Sequence, residues 1–209
     1  VKYSHKRFSK LMVESKKYNF SFTGFSLRAN EMTKVAKAMN EELPIEMVDF
    51  GDGNRNTGQR RLVEIKKRLK QFTQSEFELF LSGDFVAQKQ LAFLSVCKSH
   101  SFIRDFVMEV LREKLLVFDY QITEGDYVSF YRRKVELHPE MENLTDRTQS
   151  AIKQVTFKIL EQAGIIDNVK SKIIQPQLLD ANVTNTIAAD NKQWLKVFFM
   201  SDMDIENIN

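Results

Sequence analysis

The sequence predicts a mainly α-helical protein of two lobes that ends in a small winged-helix-like β-hairpin. Three observations lead to this fold class. The 209 residues include only seven glycines and three prolines, so few positions interrupt a helix. Apolar residues recur at helical spacing behind side chains that can cap helix N-termini. Two short apolar runs near the end have the composition of strands. We expect a basic helical lobe over residues 1–82 and a second lobe, carrying the winged-helix-like module, over residues 83–209.

The first lobe begins with a predicted short basic helix over residues 4–17. Residues 18–27 alternate aromatic and small side chains, which predicts an extended segment. A helix is expected over residues 29–39, and Pro44 ends that region. Residues 51–58 contain three of the seven glycines and predict a loop.

An amphipathic helix follows this loop. From Thr57 onward, Leu62, Ile65 and Leu69 recur at helical spacing, and lysines and arginines occupy much of the remaining surface. We therefore expect a helix with one apolar face and a strongly basic exposed face.

The helices after residue 72 are predicted from their capping residues. We expect helix N-termini at Thr73 (with Glu76 as a capping box), Asp84, Ser101, Thr123 (with Asp126) and Thr145. Gly83 and Gly164 are expected to follow helix C-termini.

The C-terminal part has a different pattern. Residues 173–176 and 194–200 are predicted as strands, with a short helix over residues 180–189 between them. This order is compatible with a winged-helix module and equally with a hairpin that caps a helical bundle. The polar residues 201–209 are expected to fray.

The charge is distributed unevenly along the chain. Residues 1–82 carry 16 Lys/Arg and 10 Asp/Glu, whereas residues 83–209 carry 15 and 18. The first lobe therefore has an excess of positive charge and the second an excess of negative charge. Such an asymmetry indicates that the front of the protein meets an anionic partner such as nucleic acid or a phosphorylated surface.

The cysteine and histidine counts exclude a fold held by an internal disulfide and a fold held by a structural zinc ion. One cysteine cannot form an internal disulfide, and three scattered histidines provide no zinc ligand set. The longest apolar runs have four residues, far short of a membrane-spanning helix. We expect a cytoplasmic protein without metal, cofactor or membrane segment.

The strongest candidate site is the basic surface of the predicted helix after the loop. Crowded lysines and arginines neutralise phosphates, which predicts binding of duplex DNA mainly through its backbone and with weak sequence preference. A solvated helix face is the alternative. The candidate residues are Arg55, Arg60, Arg61, Lys66, Lys67, Arg68 and Lys70, followed by Lys6, Arg7 and Lys10. Weaker candidates are Arg132, Arg133, Lys134 and Lys153.

Catalytic patterns are weak. Residues 53–58 have the spacing of a phosphate-binding loop, but Gln59 and Arg60 stand where that loop needs Lys and Ser/Thr. A metal-dependent nuclease could use Asp49 and Asp52 together with the triplet at residues 64–66. That triplet lies in a predicted helix, however, where Glu64 and Lys66 point apart.

Cys97 and His100 are spaced as a helical pair that could act as a nucleophile and base. A buried cysteine beside a helix-end histidine is favoured instead. We therefore expect no enzymatic activity.

Several sequence stretches, in order, resemble a known family. They are FSFTG at 20–24, EIKKRL at 64–69, FIRDFVMEVLREK at 102–114, HPE at 138–140, LTDRT at 144–148 and IQPQLL at 174–179. Together they resemble the BrxA family of small accessory proteins in BREX bacteriophage-defence systems. The resemblance covers residues 18–200; it departs in the basic residues 1–17 and in Phe25–Leu27, where the family tends to have a second glycine.

This resemblance implies a mostly helical, non-enzymatic protein that acts beside a DNA methyltransferase, an ATPase and a phosphatase-like protein. Members have been likened to the RNA-binding antiterminator NusB, and the family is thought to bind DNA. Two alternatives remain open at the level of the sequence. One is an adaptor whose basic helix docks on an acidic protein, with the aromatic residues 18–25 as an anchor. The other is an RNA-binding protein.

Overall fold

A computed structural model describes residues 17–208 of the chain. The basic helix expected over residues 4–17, apart from its last residue, lies outside the described range, as do Lys6, Arg7 and Lys10. The α-helices are α1 (Ala29–Asn40), α2 (Arg55–Leu69), α3 (Gln74–Ser82), α4 (Phe85–Ser99), α5 (Ser101–Phe106), α6 (Glu113–Leu116), α7 (Glu124–Leu137), α8 (Asp146–Ala163), α9 (Ala181–Asn191) and α10 (Asp202–Glu206). Short 3₁₀ helices occupy Ser21–Gly24, Met47–Phe50, Pro139–Met141 and Lys192–Phe198, and Val107–Arg112 forms a π-helical turn between α5 and α6. The prediction of a mainly helical protein is confirmed.

Local capping residues set most helix starts. At α3 the capping box is complete, because the Glu76 amide donates to the Thr73 hydroxyl at 3.3 Å and the Thr73 amide donates to the Glu76 carboxylate at 2.9 Å. Asp84 caps α4 by accepting from the Ala87 amide at 2.8 Å. Thr123 and Thr145 cap α7 and α8 as predicted. The cap predicted at Ser101 is wrong: the N-cap of α5 is His100, which makes no side-chain capping bond.

The helix α4 is the centre of the molecule. It contacts α1, α2, α3, α5 and α8 as well as the 3₁₀ helix Lys192–Phe198. Its buried residues lie on several faces, with Leu91, Phe93 and Leu94 fully enclosed. A helix that is buried on most of its surface belongs to the core of a domain rather than to its edge. The buried apolar cluster includes residues on both sides of position 82, and the division into two lobes stays a prediction.

The predicted C-terminal β-hairpin is wrong. Residues 194–200 lie mostly in the 3₁₀ helix Lys192–Phe198, where Leu195, Val197 and Phe198 are buried. The other predicted strand forms only isolated antiparallel bridges, from Ile173 to Gln121 and from Ile174 to Ile166. Within residues 17–208 there is accordingly no strand. A short apolar run has no periodicity that separates a strand from another buried segment, and here the run packs as a 3₁₀ helix against α9, the π-helical turn and α4.

Two smaller predictions also change. Residues 201–208 do not simply fray, because Ser201 caps α10 through the Asp204 amide and Ile205 is buried. The stretch predicted as extended before α1 contains the 3₁₀ helix Ser21–Gly24.

No helix within the described range is long and apolar enough to cross a membrane.

The segment before α1 is fixed to distant parts of the chain. The Tyr18 ring stacks on His138 with centroids 3.7 Å apart, and its hydroxyl donates to Asp105 at 2.7 Å. The Leu27 amide donates to the Gln162 side chain of α8 at 2.9 Å. These contacts hold residues 18–27 against the core, and that placement forms one wall of the cleft described next.

Candidate nucleic-acid interface

The helix α2 starts from a tightly packed turn. Asn54 caps the helix by accepting from the Thr57 amide at 3.0 Å. A Cβ atom on Gly58 would lie 1.7 Å from the Met47 carbonyl oxygen, and one on Gly51 would lie 1.9 Å from the Asn54 carbonyl oxygen. Only glycine permits these close backbone approaches. The glycines of the predicted loop therefore fix the position of the first turn of α2.

The buried side of α2 is the predicted one. Leu62, Ile65 and Leu69 are all buried in the core cluster. The opposite side forms a continuous stripe at helical spacing. This exposed stripe consists of Asn56, Gln59, Arg60, Val63, Lys66 and Lys70, which are exposed, and of the half-buried Lys67. It contains four cations and no acidic residue, because the carboxylate of Glu64 is turned into the protein.

A cleft of about 800 Å³ lies between the exposed stripe and the segment before α1. Its lining combines polar side chains with the apolar surface of Phe25 and Val63, and it includes Glu64. The segment contributes Asn19, Ser21 and Thr23, and α2 contributes Asn56, Gln59, Arg60 and Lys67. The Lys67 ammonium donates to the Ser21 hydroxyl at 3.2 Å across this cleft. Ammonium, guanidinium, hydroxyl and amide groups in one concave surface are the donors that proteins use to contact phosphate and sugar oxygens.

Arg68 has a structural role instead of the predicted contact with phosphate. Its side chain is fully buried, and its guanidinium donates to the carbonyl oxygens of Ser26 and Phe25, both at 2.7 Å. It also donates to Glu64 at 3.0 Å. A guanidinium enclosed in this way cannot reach a ligand outside the protein. Arg68 therefore leaves the set of candidate residues and instead holds the segment before α1 on α2.

Glu64 is the acidic centre below the cleft. It accepts from the Ser21 hydroxyl at 2.7 Å and lies 2.5 Å from Nε2 of His100, besides its bond with Arg68. Burial alone would raise the pKa of Glu64, but the hydrogen bond with His100 and the charge of Arg68 together hold that pKa at about 2. Burial lowers the pKa of His100. The carboxylate is thus charged at neutral pH, and its charge is directed towards partners inside the protein.

The other predicted α2 residues fall into two groups. Arg61 is half-buried; it donates to the Phe50 carbonyl oxygen at 2.8 Å and pairs with Asp52 at 3.0 Å, so it holds the loop before α2. Exposed to solvent are Arg55, Arg60, Lys66 and Lys70. Arg60 and Lys67 line the cleft. The structure therefore brings five of the seven predicted α2 residues to an accessible surface.

The weaker candidates in the second lobe are only partly accessible. Lys134 is buried and pairs with Glu109 at 2.5 Å and with Asp105 at 3.3 Å. Lys153 pairs with Glu124, whereas Arg132 and Arg133 are exposed. No basic surface comparable with the exposed stripe of α2 arises from these residues, since three of the four pair with carboxylates, Arg133 with Glu109 at 3.9 Å.

The predicted buried cysteine beside a helix-end histidine is confirmed, because Cys97 and His100 are both buried. Cys97 is fully buried, and burial raises the pKa of its thiol. His100 is buried as well, with its ring directed at Glu64 and at the Asn19 carbonyl oxygen. Within residues 17–208, no three histidine, cysteine, aspartate or glutamate side chains are grouped so that they could hold a metal ion.

Sequence reasoning missed the role of Arg68, but one signal for it was present. Glu64 and Arg68 are four residues apart, the spacing at which an acid and a base pair on a helix. The contacts with Ser21 and His100 come from distant sequence positions, and no local pattern indicates them.

Comparisons with known proteins agree with this architecture. The BrxA family model matches residues 16–191. A protein named "BREX protein BrxA" from Bacillus cereus (strain H3081.97) is 29% identical over 108 residues, which cover 51% of this chain and 54% of that protein. Another of the same name from Escherichia coli O9:H4 (strain HS) is 24% identical over 120 residues, which cover 57% of this chain and 56% of that protein. The chain thus spans about half the length of the curated relatives it matches.

The fold itself has been observed before. A crystal structure of an uncharacterized protein from Magnetospirillum magneticum superimposes with a TM-score of 0.75 at 16% identity, covering 88% of this chain and 99% of that one. At this identity the likeness concerns the fold alone. The family model, by contrast, spans most of the chain and agrees with the ordered motifs in the sequence, and the chain belongs to the BrxA family.

Proposed function

We propose that this chain is a DNA-binding accessory protein of a BREX bacteriophage-defence system. It acts without catalysis of its own and in association with other BREX proteins. The family membership supports the place in the defence system. The single observation that carries the proposed binding is the exposed stripe of α2, whose four cations stand beside a cleft in which the carboxylate of Glu64 is engaged by Ser21, His100 and Arg68. Such a surface neutralises phosphates and releases their counterions.

The interface consists of Arg55, Arg60, Lys66, Lys67 and Lys70. The amide side chains of Asn56 and Gln59 can add hydrogen bonds to sugar or phosphate oxygens. Because phosphate contacts carry no sequence information directly, we expect weak sequence preference. Duplex DNA is the proposed ligand, and an RNA duplex is the comparison that tests it.

The burial of the aromatic segment argues against an adaptor that uses it as an anchor. Tyr18, Phe22 and Phe25 are buried, and Phe20 is packed against the core. These rings contact other rings of the protein itself, with Tyr18 and Phe20 both beside Phe102. They are therefore not available as exposed interface anchors.

The test is binding of the purified chain to a labelled random DNA duplex and to a matched RNA duplex over a salt series. We expect the affinity for DNA to fall steeply with salt. The variant Arg60→Gln/Lys66→Gln should lower the slope of log K against log salt by about two, because each lost phosphate contact contributes about one unit.

A matched control removes the same charge from another part of the surface. Arg147→Gln/Lys170→Gln also takes away two exposed cations and should leave the slope unchanged. Equal effects of both double variants would mean that net charge, not the stripe of α2, governs binding. Tighter binding of RNA than of DNA, or binding of neither at low salt, would overturn the proposed ligand.

A further inference from the structure

A second concave surface lies at the other end of the sequence. A groove of about 400 Å³ runs between the end of α6, residues 176–179 and residues 198–201. Its walls are mainly apolar and include Leu115, Leu116, Phe118, Leu179, Phe199 and Met200. Asp204 is the charged residue in its lining. A groove of this composition suits apolar side chains.

The four most exposed large apolar side chains of the described range belong to residues that line this groove or adjoin its lining residues in sequence. Leu178 is 89% exposed, Phe118 79%, Val117 72% and Met203 70%, the four largest values for large apolar residues there. Phe118 lines the groove, and each of the others is adjacent in sequence to a lining residue or one removed from it. Scattered apolar residues on a surface need no explanation, but a cluster around one groove marks an interaction site.

Phe118 is held in an unfavourable backbone conformation. Its φ is +61°, in the left-handed region that favours glycine. The Asp119 amide donates to the Lys114 carbonyl and the Phe118 amide to the Leu115 carbonyl, the two bonds of a Schellman motif. The position after the C-cap, usually glycine, is here an exposed phenylalanine. Its side chain gains little from burial in the chain itself, which indicates a role outside it.

We propose that this groove binds an amphipathic segment of a different protein, one that presents apolar side chains beside lysine or arginine. The charges around the groove select such a partner. Asp180 follows Leu179 and Asp204 lies in the lining, whereas Asp119, which follows Phe118, is already paired with Lys114. Residues 173–209 contain five acidic residues and two lysines. A basic flank on the partner would face these carboxylates, and the apolar face would fill the groove.

The same charges disfavour a second copy of this chain as the occupant. A two-fold dimer built on this face would place the groove of one copy against that of the other. The aspartates around each groove would then meet like charges, which costs affinity. A different protein can carry the opposite charge.

The experiment measures binding of the full chain to each of the other BREX proteins of the same system, purified singly. Choosing these proteins rests on the proposed function. We expect one of them to bind, with affinity reduced about tenfold or more by Phe118→Asp and by Leu178→Asp, as for central interface residues. Leu43→Asp is the control, because it places the same charge at another exposed leucine. Asp204→Asn should weaken binding less and make it less sensitive to salt.

The affinity for duplex DNA, measured on the same variants, keeps the two proposals apart. Phe118→Asp should bind DNA like the wild type, since its position is separate from α2. If the α2 variants lose DNA binding but still bind the BREX protein, the groove assignment stands. The groove assignment would be overturned if the wild type and both groove variants bound the partner equally well. It would also be overturned if no BREX protein bound the chain. Sedimentation that shows a dimer broken by Phe118→Asp would assign the groove to a second copy and overturn the proposed partner.

Discussion

Arg68 shows that one cationic side chain of α2 serves the fold while its neighbours face solvent. Its guanidinium bonds two carbonyl oxygens of the segment before α1 and the carboxylate of Glu64, all without solvent contact. The Phe25 ring lies 5.0 Å from the guanidinium carbon and adds a cation–π contact. Removing one partner of such a group leaves buried polar atoms without hydrogen bonds.

We therefore expect Arg68→Ala to lower the free energy of unfolding by about 3 kcal/mol or more, as for a broken buried ion pair. Lys66→Ala, two residues earlier and exposed, should change it by less than about 0.5 kcal/mol. Urea denaturation of the wild type and both variants measures this difference. Equal stabilities of the two variants would contradict the buried role of Arg68.

The pH dependence of stability follows from Glu64 and His100. A histidine whose pKa is lowered by burial binds protons more weakly in the folded than in the unfolded state, so its contribution to stability is lost as pH falls below about 6.5. Glu64, with a folded pKa of about 2 against an ordinary value of 4.5, adds a further loss as pH falls through that interval. Both groups act in the same direction.

The free energy of unfolding should therefore decrease from pH 7.5 to pH 5. His100→Gln should be less stable than the wild type at neutral pH, but its stability should depend less on pH between 7.5 and 5.5. Urea titrations at several pH values measure both the free energy of unfolding at neutral pH and its dependence on pH. A His100→Gln variant with the same pH slope as the wild type would show that another group is responsible.

At the scale of elements, the end of α6 has an exposed phenylalanine at a backbone position where glycine would be more stable. Phe118 occupies the left-handed position of a Schellman motif. Phe118→Gly should raise the free energy of unfolding by about 1 kcal/mol, because glycine adopts this conformation without steric cost. The same variant should lose the proposed protein partner. Thermal denaturation and the binding assay together test this, and a destabilised glycine variant would contradict the argument.

The same scale shows what the sequence could predict. The caps at Thr73, Asp84, Thr123 and Thr145 were predictable because donor and acceptor lie within three residues of each other. The predicted hairpin was wrong because the apolar pattern of residues 194–200 does not separate a strand from the buried 3₁₀ helix that packs against α9, the π-helical turn and α4. The buried aromatic segment likewise depends on distant partners such as Phe102 and His138.

For the candidate site, the pattern of α2 predicted the helix, its buried side and the exposed cations. The prediction did not separate the accessible cations from the buried ones. Arg61 and Arg68 lie four residues before and three residues after the buried Ile65, so helical spacing already places both towards the buried side of α2. Their carbonyl partners in residues 25–26 and 50 come from the loop and the preceding segment, and no periodicity indicates those contacts.

For the whole molecule, the central position of α4 makes the alkylation rate of Cys97 a measure of how often the core opens. The sequence contains one cysteine, and its thiol is fully buried on the helix that most other helices contact. An alkylating reagent can reach that sulfur only after the packing around α4 has opened. The rate of labelling therefore counts openings of the core, with no engineered probe, and a ligand that reduces those openings would slow the reaction.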